Sequence, residues 1–248
     1  MKNIFLSLLI LAFATNCLGG TRRPDCSDEK YLDYGAKFHF VGKICGKYKE
    51  GEQYCASAVA INPNWVLTAA HVVSNSETCY VTFKDKKVKI IKLIPHKDYD
   101  ENIFGTADIA LGYAEDEFDL DFYPGLYENN DEVGKICSIS GYGLIGTFET
   151  GTKLSDNKRR AGSNFIDYTE NDLLICTPSR NHEKTTELEF LIGHGDSGGG
   201  LFIDGKLAGI NSCVMAVDKK PNSTYSDESG HTRVSKFIDW VNLNINNN

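Results

Sequence analysis

The chain has 248 residues, a formal net charge of -8, 41% hydrophobic residues and 11% aromatics. That is enough apolar material for a packed core, which excludes a globally disordered chain and allows one large all-β unit or two small domains. The acidic balance argues against a nucleic-acid partner, because phosphate contacts need clustered Lys and Arg; the basic stretch Lys158-Arg159-Arg160 stands alone and reads as a solvated loop.

Taken in chain order, Met1-Lys2-Asn3 precede an apolar run from Ile4 to Ala14 and then small and polar residues up to Gly20. The run is shorter than the roughly 20 residues that span a bilayer, so the segment reads as a secretory signal peptide over residues 1–19, with cleavage after Ala14 as the alternative. The mature chain, 20–248, is then expected to be secreted. Eight cysteines, Cys17, Cys26, Cys45, Cys55, Cys79, Cys137, Cys176 and Cys213, contain no C-x-x-C pair. In an oxidising compartment they read as disulfide partners rather than metal ligands. Cys45 and Cys55, bracketing the turn-like Gly46 to Gly51, suggest a hairpin staple.

Short runs rich in Val, Ile, Tyr and Phe then recur between Gly, Asn, Asp and Pro clusters: Ala36 to Ile44, Ala56 to Ile61, Trp65 to Ala69, Tyr80 to Phe83, Val88 to Ile94 and Ile109 to Tyr113. After an acidic, loop-like stretch from Glu115 to Glu132 a second set follows: Lys135 to Ser140, Asn164 to Tyr168, Leu173 to Cys176, Gly200 to Ile203, Leu207 to Asn211 and Thr232 to Val234. This rhythm predicts two all-β units of antiparallel strands, about 30–120 and about 130–234. One helix is predicted at 235–243, with Ser235 as N-cap and Phe237, Trp240, Val241 and Leu243 as its apolar stripe.

The strongest chemical signal is Gly195-Asp196-Ser197-Gly198-Gly199. A Gly-rich turn with local Asp and Ser hydrogen bonds is the plainer reading. The functional one is that a nucleophilic serine needs a tight turn whose N–H groups, here those of Gly195 and Ser197, point at a developing oxyanion. Serine also needs a base, and the base an orienting carboxylate. His71 ends Trp65-Val66-Leu67-Thr68-Ala69-Ala70-His71, where an apolar strand runs into small residues. Asp108 opens Asp108-Ile109-Ala110-Leu111, where a carboxylate meets an apolar run.

In the order His71, Asp108, Ser197, 37 and 89 residues apart, these segments resemble the trypsin and chymotrypsin family of serine proteases. So do Cys137 to Gly143 with its Ser140-Gly141-Tyr142-Gly143, Leu207-Ala208-Gly209-Ile210 and the terminal helix. The resemblance implies an all-β fold of two antiparallel six-stranded β-barrels. The active site would lie in the crevice between them, with His71 and Asp108 from the first barrel and Ser197 from the second. It further implies that Ser212 hydrogen-bonds the aspartate, that Ser212-Cys213-Val214 pairs with substrate backbone, and that Leu191 lies at the base of the specificity pocket. With Leu191 rather than an acid there, cleavage after small or apolar residues is expected, unless Asp227 or Glu228 reaches the pocket. His194 beside the motif is a candidate substrate contact. His39, His96, His182 and His231 read as surface or packing residues without partners.

The chain also departs from the family. Val72 and Gly193 stand where the family has cysteines, and Val214 stands where it has glycine. The family is activated by a cleavage that frees an Ile or Val N-terminus to pair with the aspartate before the nucleophile. Asp196 is present, but no Arg-Ile-Val-Gly-Gly segment is; Leu18-Gly19-Gly20 is a faint echo, and Arg22-Arg23 is followed by Pro24. A catalytically silent homologue that binds proteins is therefore the alternative function. An esterase built on Gly-x-Ser-x-Gly fits poorly, because that motif needs the order Ser, Asp, His. The expected partners are polypeptide substrates and protein protease inhibitors, with no cofactor, metal, nucleic acid or membrane, on a monomer. Asn222-Ser223-Thr224 is a glycosylation sequon.

Overall fold

The computed structural model describes residues 20–179, 185–216 and 218–246. The expected signal peptide and His182 lie outside them. Six antiparallel strands, β2 (Val41–Tyr48), β3 (Gln53–Ala60), β4 (Trp65–Thr68), β5 (Ser76–Phe83), β6 (Lys86–Pro95) and β7 (Ala110–Ala114), close into a barrel in the order β2-β3-β4-β7-β6-β5. Val41, Ile44, Val59, Val66, Leu67, Val81 and Leu111 are buried, those inside the barrel and those on faces covered by the rest of the chain alike. Cys45 and Cys55 stand opposite each other in the β2–β3 register and form a disulfide.

The second unit is a sheet in the order β11 (Arg160–Phe165), β8 (Ile136–Gly141), β15 (Gly200–Ile203), β16 (Lys206–Ala216), β17 (Asp227–Arg233), β13 (Leu173–Cys176), β12 (Tyr168–Glu170). Its two edge strands are successive halves of one run of chain. Between them the Ile166 N–H donates to the Lys135 carbonyl (3.0 Å) on one side, and the Asp167 N–H to the Ile175 carbonyl (2.8 Å) on the other. The sheet therefore returns to itself, and with β11 and β12 taken as one strand it is the second six-stranded barrel. Its interior holds Ile139, Ile166, Leu174, Leu201 and Ala208, with the sulfurs of Cys137 and Cys176 3.8 Å apart.

A smaller sheet, β10 (Gly151–Leu154), β9 (Ile145–Thr147), β1 (Thr21–Arg22) and β14 (Phe190–Leu191), ties the start of the described chain to the loop before Ser197. Helix α1 (Asp28–Ala36), which the periodicity does not reveal, packs on β11. Its sequence hides it because the docking face is built from Tyr31 and Gly35 rather than an aliphatic stripe; the Tyr31 hydroxyl donates to the Glu189 carbonyl at 3.1 Å. A one-turn helix α2 (Ala70–Val73) follows β4, and α3 (Ile238–Asn246) ends the fold.

Some sequence-based expectations are corrected. Ser235 does not cap α3: it sits in a 3-10 turn, Val234–Lys236, and its hydroxyl donates to Asn130 Oδ1 (3.2 Å) and Glu132 Oε1 (2.8 Å). Phe237 and Val241 are buried as expected, whereas Leu243 is exposed. The basic stretch is no solvated loop either. Arg160 is buried, with paired hydrogen bonds to Asp28 (2.6 and 2.7 Å) and to Asp156 (both 2.9 Å), and Arg159 donates to the carbonyls of Gly35 and Val41. Two arginines thereby hold the second barrel to the segment that leads into the first, through bidentate and main-chain bonds.

Candidate active site

The β4–β7 register pairs Thr68 with Ala110, which brings the residues just after β4 and just before β7 to one end of the first barrel. His71 in α2 and Asp108 meet there. The Asp108 carboxylate is only 7% exposed and accepts three hydrogen bonds: from the His71 N–H (2.9 Å), from His71 Nδ1 (2.8 Å) and from the Ser212 hydroxyl (2.6 Å). A carboxylate only accepts, so Nδ1 carries the ring proton and Nε2 presents a lone pair.

Burial opposes ionisation of both partners, and each offsets it for the other. Burial acts to raise the Asp108 pKa, yet the His71 charge, its two hydrogen bonds and that of Ser212 hold it below the ordinary carboxylate value. Burial likewise acts to lower the His71 pKa, and the charge and hydrogen bond of Asp108 lift it above the ordinary imidazole value.

The second barrel meets this pair along β16. A register shift between Asn211 and Cys213 takes Ser212 out of the ladder and aims its hydroxyl at Asp108. The Thr232 hydroxyl on β17 adds a bond to the Asp108 carbonyl (2.9 Å). Beyond the bulge, residues 213–216 pair with β17 alone, since β15 covers β16 only as far as Ile210. One edge of Cys213 and Val214 is thus open among the described residues, a place where an extended peptide can add as a strand.

Ser197 lies on the turn that leads into β15. Ser57 of β3 clamps this turn from the first barrel: its N–H donates to the Ser197 carbonyl (2.9 Å), and its hydroxyl donates to the Gly195 carbonyl (2.8 Å) while accepting the Tyr142 N–H (2.9 Å). Gly198, at φ +80°, passes so close to barrel one that a Cβ would stand 2.1 Å from Thr68 Oγ1 and 2.2 Å from the Ser57 carbonyl. Only glycine satisfies both conditions. Among the described residues the N–H groups of Gly195 and Ser197 have no backbone partner. No hydrogen bond joins Ser197 to His71 among them; such bonds are often long until a substrate binds.

Asp196 is 1% exposed. It accepts the N–H groups of Gly143 (2.7 Å), Gly193 (3.1 Å) and Gly20. Burial pushes its pKa up to about 7. Leu191 is fully buried on β14, opposite Thr21. Asp227 Oδ2 accepts the N–H groups of Asn222 (3.2 Å) and Thr224 (2.9 Å) while its Oδ1 is buried without a hydrogen-bond partner, and Glu228 accepts the Tyr168 hydroxyl (2.8 Å). His194 is exposed at its edge, yet partial desolvation by its neighbours and the charge of His71 lower its pKa.

The sequence reading missed two supports. Ser57 carried no motif. His231 is not without partners: fully buried, it bonds Asn211 Oδ1 through Nδ1 (2.9 Å) and the Ser229 hydroxyl through Nε2 (3.0 Å), while Asn211 Nδ2 donates to the carbonyls of Ser140 and Asp196 (both 3.1 Å). This buried network backs the serine turn. Among the described residues no three His, Cys, Asp or Glu side chains gather as a metal site.

Comparison with known proteins places this geometry. The family model described as Trypsin matches residues 36–241. Kallikrein 1-related peptidase b21 of Mus musculus is 28% identical over 224 residues, covering 76% of this chain and 79% of its own length. Chymotrypsin-like elastase family member 1 of Macaca fascicularis is 26% identical over 277 residues, covering 97% of this chain and 100% of its own. Among solved structures, HL collagenase superposes with a TM-score of 0.69 at 16% identity over 86% of this chain and 95% of its own. Neuropsin, a mouse brain serine protease, does so with 0.61 at 19% over 90% and 98%.

Proposed function

The chain belongs to the trypsin family, and on that premise we propose that it is a secreted serine endopeptidase acting through Ser197, His71 and Asp108. The observation that carries this reading is the Asp108 carboxylate, buried and holding the His71 Nδ1 proton, which leaves Nε2 with its lone pair to act as a base. Ser197 Oγ attacks the scissile carbonyl carbon and its proton passes to His71 Nε2. Asp108 stabilises the imidazolium, and the N–H groups of Gly195 and Ser197 receive the oxyanion. As the tetrahedral intermediate collapses, His71 returns that proton to the leaving amine. Water, deprotonated by the same histidine, then hydrolyses the acyl ester and frees Ser197.

The substrate backbone pairs with the open edge at Cys213 and Val214. The buried, uncharged Leu191 favours small or apolar side chains in the specificity pocket, because a substrate Arg or Lys would find no counter-charge at that position. Secretion, a glycan on Asn222 and inhibition by protein protease inhibitors belong to the same reading. A fluorophosphonate labels the wild-type secreted protein and leaves Ser197→Ala unlabelled if this is right, and a peptide library reads the side-chain preference. An unlabelled wild type with its disulfide formed would favour the second reading, a silent homologue that binds proteins, to which the missing Ser197–His71 hydrogen bond points.

A further inference from the structure

The second barrel closes along a seam at the bend between β11 and β12. On one side of the bend Ile166 donates to the Lys135 carbonyl and accepts the Gly134 N–H; on the other, the Asp167 N–H donates to the Ile175 carbonyl. Two cysteines flank this seam. Cys137, near the start of β8, stands opposite Asn164 on β11, and Cys176, the last residue of β13, follows Ile175, which stands opposite Tyr168 on β12. Both are buried, at 1% and 0% exposure, and they share one apolar cluster with 3.8 Å between their sulfurs.

The other cysteines of the described residues lie elsewhere. Cys26 reaches the Glu187 carbonyl (3.5 Å), Cys79 is in the core of the first barrel, and Cys213 sits on β16 against Gly230. Among the described residues no third His, Cys, Asp or Glu joins the pair to make a metal site. The gap from 3.8 Å to the ~2.05 Å of a sulfur–sulfur bond is under ~2 Å, which rotation about χ1 can cover.

We propose that Cys137 and Cys176 form a disulfide that locks the seam of the second barrel. The step rests on the secreted reading for its oxidant, a disulfide of the glutathione class. The thiolate of one cysteine attacks that disulfide, forming a mixed disulfide and releasing one thiolate. The thiolate of the other cysteine then attacks the protein sulfur of the mixed disulfide and expels the second. Both cysteines lose their protons, and the oxidant takes up two electrons and leaves as two thiols. In the closed barrel burial pushes the Cys176 thiol up, so exchange takes place before the seam closes and the finished bond is shielded from reductants. The bond spans 39 residues, against 10 for Cys45–Cys55, and a longer closed loop removes more freedom from the unfolded chain. It also anchors the network behind the serine turn, because the Cys176 carbonyl accepts the Ser229 hydroxyl (3.5 Å) that bonds His231.

The test is an unreduced peptide map of the secreted full-length gene product, its free thiols blocked by iodoacetamide in denaturant. A chain retained inside the cell is refolded in reduced and oxidised glutathione and read by the same map. Mass spectrometry should find a linked pair of peptides carrying Cys137 and Cys176. Dithiothreitol on the folded protein should open the half-buried Cys45–Cys55 first and leave Cys137–Cys176 intact until denaturant is added. The double variant Cys137→Ala, Cys176→Ala should unfold at lower denaturant than the wild type, and reductant should shrink that gap, leaving only the packing difference. Both cysteines alkylated in the unreduced wild type, either one linked to Cys26, Cys79 or Cys213, or a gap that reductant leaves unchanged would each overturn the proposal. The map stands even if the double variant does not fold, and it is decided whether or not Ser197 labels with a fluorophosphonate.

Discussion

Asp108→Asn is the substitution that most directly interrogates the site. It is nearly isosteric, so the packing around a residue 7% exposed is retained, but the amide nitrogen cannot accept. Of the three hydrogen bonds that Asp108 receives, the His71 N–H at Oδ1 can still be served by the amide oxygen, whereas Oδ2, which accepts both His71 Nδ1 and the Ser212 hydroxyl, becomes the amide nitrogen, so that the Ser212 hydroxyl must turn from donor to acceptor. The amide then turns its N–H toward His71 Nδ1, reversing the tautomer so that Nε2 carries the proton and cannot act as a base. The expected loss in kcat is about four decades, roughly 5 kcal/mol of transition-state stabilisation. The pH profile supplies an independent readout. Asp108 raises the His71 pKa, so wild-type kcat/KM rises only as pH climbs through that raised value. In Asp108→Asn the acid limb moves to lower pH, because burial remains while the stabilising charge is gone. The assay is peptide hydrolysis from pH 4 to 9, with circular dichroism on both proteins. A folded variant that keeps wild-type turnover, or whose acid limb does not move, would refute the assignment of His71 as base and Asp108 as its orienter.

Three further outcomes follow from the same coordinates. His231 is buried neutral with its pKa pushed down to about 3; the unfolded chain binds that proton from its ordinary pKa downward, so stability falls as pH drops from about 6.5 toward 3, by on the order of 4 kcal/mol in all. His231→Gln should flatten that part of the stability–pH curve in urea titrations, and an unchanged slope would sink the argument. Leu191→Asp places a carboxylate with no cation beside it at a fully buried position, so it should lower stability by about 3 kcal/mol or more, unless an Arg or Lys substrate side chain compensates in a peptide-library assay. Replacing both Cys45 and Cys55 by serine removes a cross-link spanning 10 residues. A loss of about 3 kcal/mol is expected from the chain-entropy relation and is measurable by denaturant titration, and a loss near zero would show that the β2–β3 register needs no staple.

Most strands of both barrels overlap an apolar run visible in the sequence, because a strand with one face in a core must alternate, while β11 and β12 only meet the ends of the run Asn164 to Tyr168. What the runs understate is length where polar side chains occupy the interior. On β17 the apolar signal begins at Thr232, yet Asp227, Ser229, His231 and Thr232 are all buried and hydrogen-bonded. Hydropathy cannot register burial that hydrogen bonds make tolerable. The same limit explains α1, whose face is Tyr31 and Gly35, and Arg160, whose burial depends on Asp28 132 residues away. The residues proposed for chemistry are legible by contrast, because a nucleophile, its base and its orienter carry sequence contexts of their own: a glycine turn, the small residues after a strand, an acid before one.

The residues that align those groups have no such context. Ser57 is one small residue in a run of alanines on β3, and only the fold shows it spanning the barrels to grip the carbonyls of Ser197 and Gly195. Gly20 is the second glycine of the pair Gly19-Gly20 in the sequence, and only the fold shows it filling the space beside Asp196. Both act by position and neither by side-chain chemistry that a motif could encode. The serine turn is thereby fixed from two sides, by a hydroxyl of the first barrel and by the buried carboxylate of the second. Among the described residues the N–H groups of Gly195 and Ser197 are left without backbone partners. A turn constrained in this way can receive an oxyanion without first breaking bonds of its own, which is the condition that electrostatic stabilisation of a transition state sets on a protein.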